Sequence, residues 1–242
     1  MGSRFRPRPI PAGPNGIYMD VVHLERPFGD PELNHDLWVT SDEEQLGMEL
    51  RDRLIQNGYR IALLGGPMPS VLKTLFSEEE LGQMNGEHLQ IQSGMPTQIQ
   101  TGGANGRWPK EPNPISEGDD YVNAVGVFRV TPRITSDACI DLAITPEILH
   151  GESRRQFVPN ATATGPLDWS IQVGRQSRMF EDLNFVLRLR SGQFALLGCF
   201  PNNRDSLGAR FFARTKDGHT MQHVLLIRAE PSHEAVAIRT RP

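Results

Sequence analysis

A few stretches of the chain hold residue types that could do chemistry. His219 and His223 are four apart, the spacing at which two imidazoles share one face of a helix and can ligate zinc. His150 with Glu152 sets a base beside a carboxylate, and Cys139 offers a thiol. None of these completes a reactive set. No Glu stands between the two histidines as in H-E-x-x-H, and His223 opens the run HVLLIRAE, which reads as strand. His150 and Glu152 fall in a loop, and Cys139 falls within an expected strand, where a reactive thiolate is not favoured. The acidic triplet Asp42, Glu43 and Glu44 is accounted for by helix capping rather than by a metal. GGPMPS, between a strand and a helix, invites a phosphate-loop reading. It lacks the G-x-x-x-x-G-K-[ST] spacing, and Pro67 and Pro69 remove N–H donors that a phosphate cradle uses. With no G-x-S-x-G and no dinucleotide fingerprint, the residues support no catalytic site, no metal and no cofactor.

Composition narrows the class further. The chain has 242 residues, 38% hydrophobic and 22% charged, enough for one sizeable core. Its 19 Pro and 23 Gly call for many turns. A net charge of -4 lacks the positive field that phosphate neutralisation needs, so nucleic acid is not an expected partner. Cys139 and Cys199 read as small buried apolar residues, with their pairing left open. No apolar run of signal-peptide length follows Met1, and none reaches transmembrane length. The chain as it stands reads as cytoplasmic; a removed leader would make it a protein of the envelope or periplasm.

Any site must be positioned by regular elements, and the residue pattern marks several. Residues 1–16, with Arg4, Arg6 and Arg8 among prolines, read as an extended basic arm, and residues 232–242 as a polar tail. The run at 17–26 reads as a strand. A helix is expected over 41–58, with Ser41 and Glu44 as capping box, Leu46, Leu50 and Leu54 on one face, and Asn57-Gly58 as stop. A strand at 59–64, free to lie parallel to the first, and a second helix begun at Ser70 complete a strand-helix-strand-helix part. Residues 102–120 hold four Gly and three Pro and form a long loop. Trp108 in that loop is a candidate binding residue, with the alternative that its ring folds back over the sheet. In the centre, Phe128, Val130 and Ile134 alternate with polar residues, and Ile140, Leu142 and Ile144 resume the pattern after a short turn. Trp169, Ile171 and Val173 mark a strand after a polar loop at 150–167. Residues 183–189 and 193–200 read as a tight hairpin about Ser191-Gly192, and 223–230 as a last strand. The fold class expected is α+β, the N-terminal part being followed by an antiparallel β-rich half in a single domain over 17–231.

The central wording, VGVFRVTPRI, a turn containing Asp137, then IDLAITPEI, resembles the signature of the secretin domain of bacterial type II and type III secretion channels and type IV pilus pores. IYMDVVHLER, IALLGGP, LQIQSG, GQFALLGCF and LGARFF followed by HVLLIRAEP resemble other pieces of that domain, in the family's order. The positions that carry the motif are Val130, Thr131, Pro132, Pro146, Glu147, Gly192, Gln193 and Gly198, all structural. Cys199 departs from it, standing where a second Gly is usual. So does the 150–167 loop, too polar and Pro-containing for a membrane-inserting hairpin of ~10 alternating residues per strand. The resemblance implies a non-catalytic envelope component in secretion that self-associates into a homo-oligomer or docks on an envelope partner through strand edges. Two other readings stand beside it: a soluble monomeric binding protein that uses the loop around Trp108, and a hydrolase dependent on His150, His219 or His223.

Overall fold

In the run of residues 61–64, Ile61, Ala62, Leu63 and Leu64 are all buried, although successive strand residues point to opposite sides. Such a strand must be covered on both faces. The computed structural model describes residues 15–65, 72, 86–109, 120–159 and 169–232, with only the backbone at 154–159 and 169–173. Its strands, in chain order, are β1 (Gly16–Pro27), β2 (Ser41–Asp42), β3 (Tyr59–Leu64), β4 (Gly86–Gln92), β5 (Thr97–Gln100), β6 (Gly106–Trp108), β7 (Tyr121–Ile134), β8 (Ile140–Pro159), β9 (Trp169–Met179), β10 (Phe185–Leu189), β11 (Phe194–Cys199), β12 (Ala213–Lys216) and β13 (His219–Pro231). The helices are short: a π-helical turn at Glu32–Asp36 that runs into α1 (Leu37–Val39), then α2 (Met48–Gln56), a 3-10 turn at Glu181–Leu183, and α3 (Leu207–Phe212).

The strands form two sheets. In the first the order is β2-β3-β11-β13-β1-β4, with β12 also on β13; in the second it is β10-β8-β7-β5, with β6 on β7 and β9 on β8. The inner faces meet in the main core, where Ile17, Met19, Ile61, Leu197, Leu225 and Ile227 of the first sheet face Phe128, Val130, Leu142, Ile144 and Leu187 of the second. The outer face of the first sheet carries Leu24, Ala62, Leu64, Leu196, Val224 and Leu226, roofed by Leu33, Leu37 and Trp38, with Leu72 in the same cluster. Double coverage is why β3, β11 and β13 read as continuous apolar runs rather than alternating ones. Gly198 lies directly beneath the Trp38 ring, where an added Cβ would stand 3.1 Å from Trp38 Cζ2.

The α+β expectation is overturned. The molecule is mostly antiparallel β, and the N-terminal strand-helix-strand-helix part does not form. β3 is separated from β1 by β11 and β13, and each of those ladders is antiparallel, so the two strands run in opposite directions. The order is set by pairing with strands more than a hundred residues away, which no local pattern reports. Of the expected second helix, only Leu72 is described. The first helix is nine residues, not the whole of 41–58. Ser41 pairs with Leu64 of β3, Asp42 accepts from Glu44 N, and Glu43 holds Arg60 at 2.7 Å, so the residues expected as a cap serve other partners. Leu54 of that helix is fully buried and Leu46 and Leu50 pack against the core, as their spacing indicates; Asn57 and Gly58 end it.

One expected hairpin, about Ser191-Gly192, is a crossing between sheets. The turn at 190–193, closed by Gln193 N donating to Arg190 O and Arg190 N donating to Gln193 Oε1, joins β10 of the second sheet to β11 of the first. The turn at 93–96 joins β4 of the first sheet to β5 of the second. The polar loop at 150–167 is also corrected: residues through Pro159 extend β8 and pair with β9, and 160–168 lie outside the described residues. The central hairpin stands as expected, with Ile134 opposite Ile140, Val130 opposite Ile144 and Phe128 opposite Pro146. Its turn takes in Cys139, which is therefore not within a strand.

Candidate functional site

Close packing of α3 against the end of α2 builds the site. Ser206 caps α3, its Oγ accepting from Ala209 N at 3.1 Å, and Gly208 N donates to Asn57 O at 2.8 Å. The backbones approach so closely that a Cβ on Gly208 would stand 2.3 Å from Gly58 O. This seats Phe211 and Phe212 wholly inside, where Phe211 meets Tyr59 edge-on at 5.5 Å, Phe128 at 5.6 Å and Trp108 at 5.7 Å between ring centroids. Burial pushes the Tyr59 hydroxyl well above its ordinary pKa, and its oxygen has no hydrogen-bond partner among the described residues. That aromatic cluster is the structural floor of the region.

Trp108 does not protrude. It ends β6, lies opposite Tyr121 of β7 and is 3% exposed, the folded-back arrangement. Its outer edge forms one wall of a cleft of about 270 Å³. Trp108, Tyr121, Ile148, Phe180 and Leu207 give the cleft an apolar floor, and Gln56, Asn57, Asn203, Asp205 and Arg210 give it a polar rim. Burial pulls the Arg210 guanidinium below its ordinary pKa, against the opposing pull of the Asp205 and Asp120 carboxylates. Asp120 is itself paired with Arg107. The His150 ring lies 4.7 Å from the Tyr121 ring, behind the cleft wall. Arg210 and Asp205 escape sequence reading, since Asp205 lies in the turn before α3, Arg210 lies within α3, and both join Trp108 only through long-range packing.

The family-motif positions lie elsewhere. Val130 and Pro132 are buried in β7 and Thr131 is half-buried between them. Pro132 O accepts from Gly94 N at 2.7 Å and Pro146 O from Phe180 N at 3.0 Å. Glu147 is completely buried, yet its carboxylate is satisfied by Arg129 at 3.0 and 3.2 Å and by Gln98 Nε2 at 2.9 Å. It therefore ties β5, β7 and β8 together, as a buried charge requires. Gly192, at φ +79°, and Gln193 form the crossing turn, and Gly198 lies under Trp38.

The candidate chemical groups are not brought together. His219 and His223 are both on β13; His219 is exposed and His223 is 4% exposed. Among the described residues both ring nitrogens of His223 lack hydrogen-bond partners, and its Nε2 stands 3.5 Å from Glu25 Oε1. Burial holds His223 down at a pKa of about 4, against the raising pull of Glu25. Cys139 and Cys199 are both free, and burial pushes the Cys199 thiol up to about 12. Among the described residues no group of three or more His, Cys, Asp or Glu could hold a metal ion, and no helix is long and apolar enough to cross a membrane.

The β8–β9 backbone is the second candidate. From Arg154 opposite Gly174 to Pro159 opposite Trp169, β8 and β9 pair with each other beyond the last β7 partner, Val125 opposite Leu149. A register shift between His150 and Arg154 separates this ribbon from the body of the sheet. Among the described residues, neither outer edge of the ribbon is paired.

No protein-family model and no curated protein matches the chain. Among solved structures it is similar to the InvG secretin domain β-barrel from the Salmonella SPI-1 injectisome NC-base, at 14% identity and a TM-score of 0.25. The alignment covers 89% of this chain and spans 62% of that one. At those values the likeness assigns neither a family nor an activity.

Proposed function

We propose that the protein is a non-catalytic assembly component of the cell envelope that associates with copies of itself by strand addition at the β8–β9 ribbon. The observation that carries this reading is a two-stranded ladder that leaves the sheet with both outer edges unpaired among the described residues. Two strands alone are marginal in water, and an unpaired edge presents N–H and C=O groups to any strand laid beside it. By register, positions 155, 157, 159, 169, 171 and 173 share one face and 154, 156, 158, 170, 172 and 174 the other; the sequence gives the first set Arg155 with Phe157, Pro159, Trp169, Ile171 and Val173, and the second Val158 with Arg154, Gln156, Ser170, Gln172 and Gly174. A neighbour that adds a strand completes the ladder. The envelope setting rests on the sequence resemblance to secretin domains.

Light scattering on the purified chain, with and without mild detergent, tests the reading. The expected result is a mass several times 27.0 kDa. A variant with residues 154–174 replaced by an Asn-Gly turn is expected at the monomer mass with its circular dichroism otherwise native. A full-length chain that is monomeric in both conditions overturns the proposal.

A further inference from the structure

The cleft beside Trp108 is separate from the ribbon edges, and its occupancy does not depend on how the chain assembles. We propose that this cleft binds a free α-amino acid with an apolar side chain, the carboxylate meeting Arg210, the ammonium meeting Asp205 and the side chain lying on the Tyr121, Phe180 and Leu207 floor. Size and lining set the first limits. About 270 Å³ is room for one such molecule rather than for a cofactor or a folded segment, and the half-buried Tyr121, Phe180 and Leu207 offer apolar surface there, with Trp108 and Ile148 packed behind them. An apolar group that enters the cleft finds packed walls.

The charges then select the class of ligand. Arg210 and Asp205 both line the cleft and feel each other electrostatically, yet no salt bridge joins them. Among the described residues neither side chain has any hydrogen-bonded or ion-paired partner, and the same is true of the side-chain amides of Gln56 and Asn203 on the rim. Asp120 is neutralised by Arg107, so Arg210 and Asp205 leave the cleft close to neutral overall while offering one charge of each sign. A simple anion would meet Asp205, and a simple cation would meet Arg210. A zwitterion answers both at once, and a guanidinium half-withdrawn from water gains most from a carboxylate. An uncharged apolar ligand would use the floor and leave both charges idle.

Isothermal titration calorimetry on the full chain at neutral pH tests the assignment with leucine, phenylalanine, N-acetyl-leucine and leucinamide. Leucine or phenylalanine is expected to bind saturably, and blocking the ammonium or the carboxylate is expected to weaken binding by about tenfold or more. Asp205→Asn should weaken leucine but not N-acetyl-leucine, and Arg210→Gln should weaken leucine but not leucinamide, since each change removes a like charge facing the blocked compound. Asp205 is exposed, so its variant keeps the test decisive even where Arg210→Gln disturbs α3. Absence of saturable binding by either amino acid up to about 10 mM, equal binding of the blocked compounds, or leucine binding unchanged in both variants overturns the proposal and leaves the assembly reading untouched.

Discussion

The two halves of β8 are one continuous strand placed in opposite circumstances. In the near half, residues 140–149, the strand has β7 along one edge and β10 then β9 along the other, and Ile140, Leu142, Ile144 and Ile148 are at most 2% exposed. In the far half, 154–159, it has β9 and nothing else among the described residues. The near half is held by burial, at about 1.5–3 kcal/mol for each large apolar side chain. The far half is described by its ladder with β9, for which water competes. Under the proposal, stability and association are therefore assigned to different stretches of the same strand. Changes to the body should move the unfolding free energy, and changes to the ribbon should move the mass.

The largest expected effect tests the body. Phe128 is fully buried, opposite Pro146 at the heart of the near half, and touches Tyr59, Phe211 and Phe212. Phe128→Ala should cost about 3–5 kcal/mol in denaturant unfolding. Glu147→Ala comes next, because it leaves Arg129 and Gln98 without their buried acceptor; a loss of about 3 kcal/mol is expected by the same measurement. A loss below about 1 kcal/mol for either would break the comparison at its firmest point.

Acid should act on the body through His223, which faces Glu25 on β1 with Arg214 and Lys216 of β12 and His23 nearby. Its pKa is held at about 4, below the ordinary 6.5, so the unfolded chain binds more protons across that interval. Its contribution to stability is complete above about 6.5 and is lost as the pH falls toward 4, by no more than about 3 kcal/mol. His223→Leu should flatten that part of the stability-versus-pH curve. The smallest effect belongs to the ribbon: replacing 154–174 by an Asn-Gly turn should change the unfolding free energy by less than about 1 kcal/mol while abolishing association. A large loss of stability there would mean that the ribbon belongs to the core after all.

Much of this organisation is legible in residue order, and the parts that are not share a cause. The β7–β8 hairpin shows because Phe128, Val130, Leu142 and Ile144 repeat every second residue on either side of a short turn. The α2 face shows through Leu46, Leu50 and Leu54. Sheet membership does not show. The turns at 93–96 and 190–193 have hairpin wording, and whether a chain folds back on its own strand or steps to the other sheet depends on which distant strand is waiting. The start of α2 is hidden because Ser41, Asp42 and Glu43 have capping-residue types but are used for pairing with β3, for a local turn and for Arg60. Trp108 stands out as a large aromatic in a Gly/Pro-rich stretch. Its neighbours in the cleft, Asp205 and Arg210, lie about a hundred residues away and look like ordinary surface charge.

The central claim, that the far half of β8 with β9 is completed by a neighbouring copy, is tested most directly by amide hydrogen exchange on the full chain over a range of protein concentrations. Amides of residues 154–158 and 169–174 should become protected as concentration rises, in step with the measured mass, while those of 140–145 and 147–149 stay protected throughout. Ribbon amides that exchange at one fast rate at every concentration, beside an unchanged and protected near half, would contradict it.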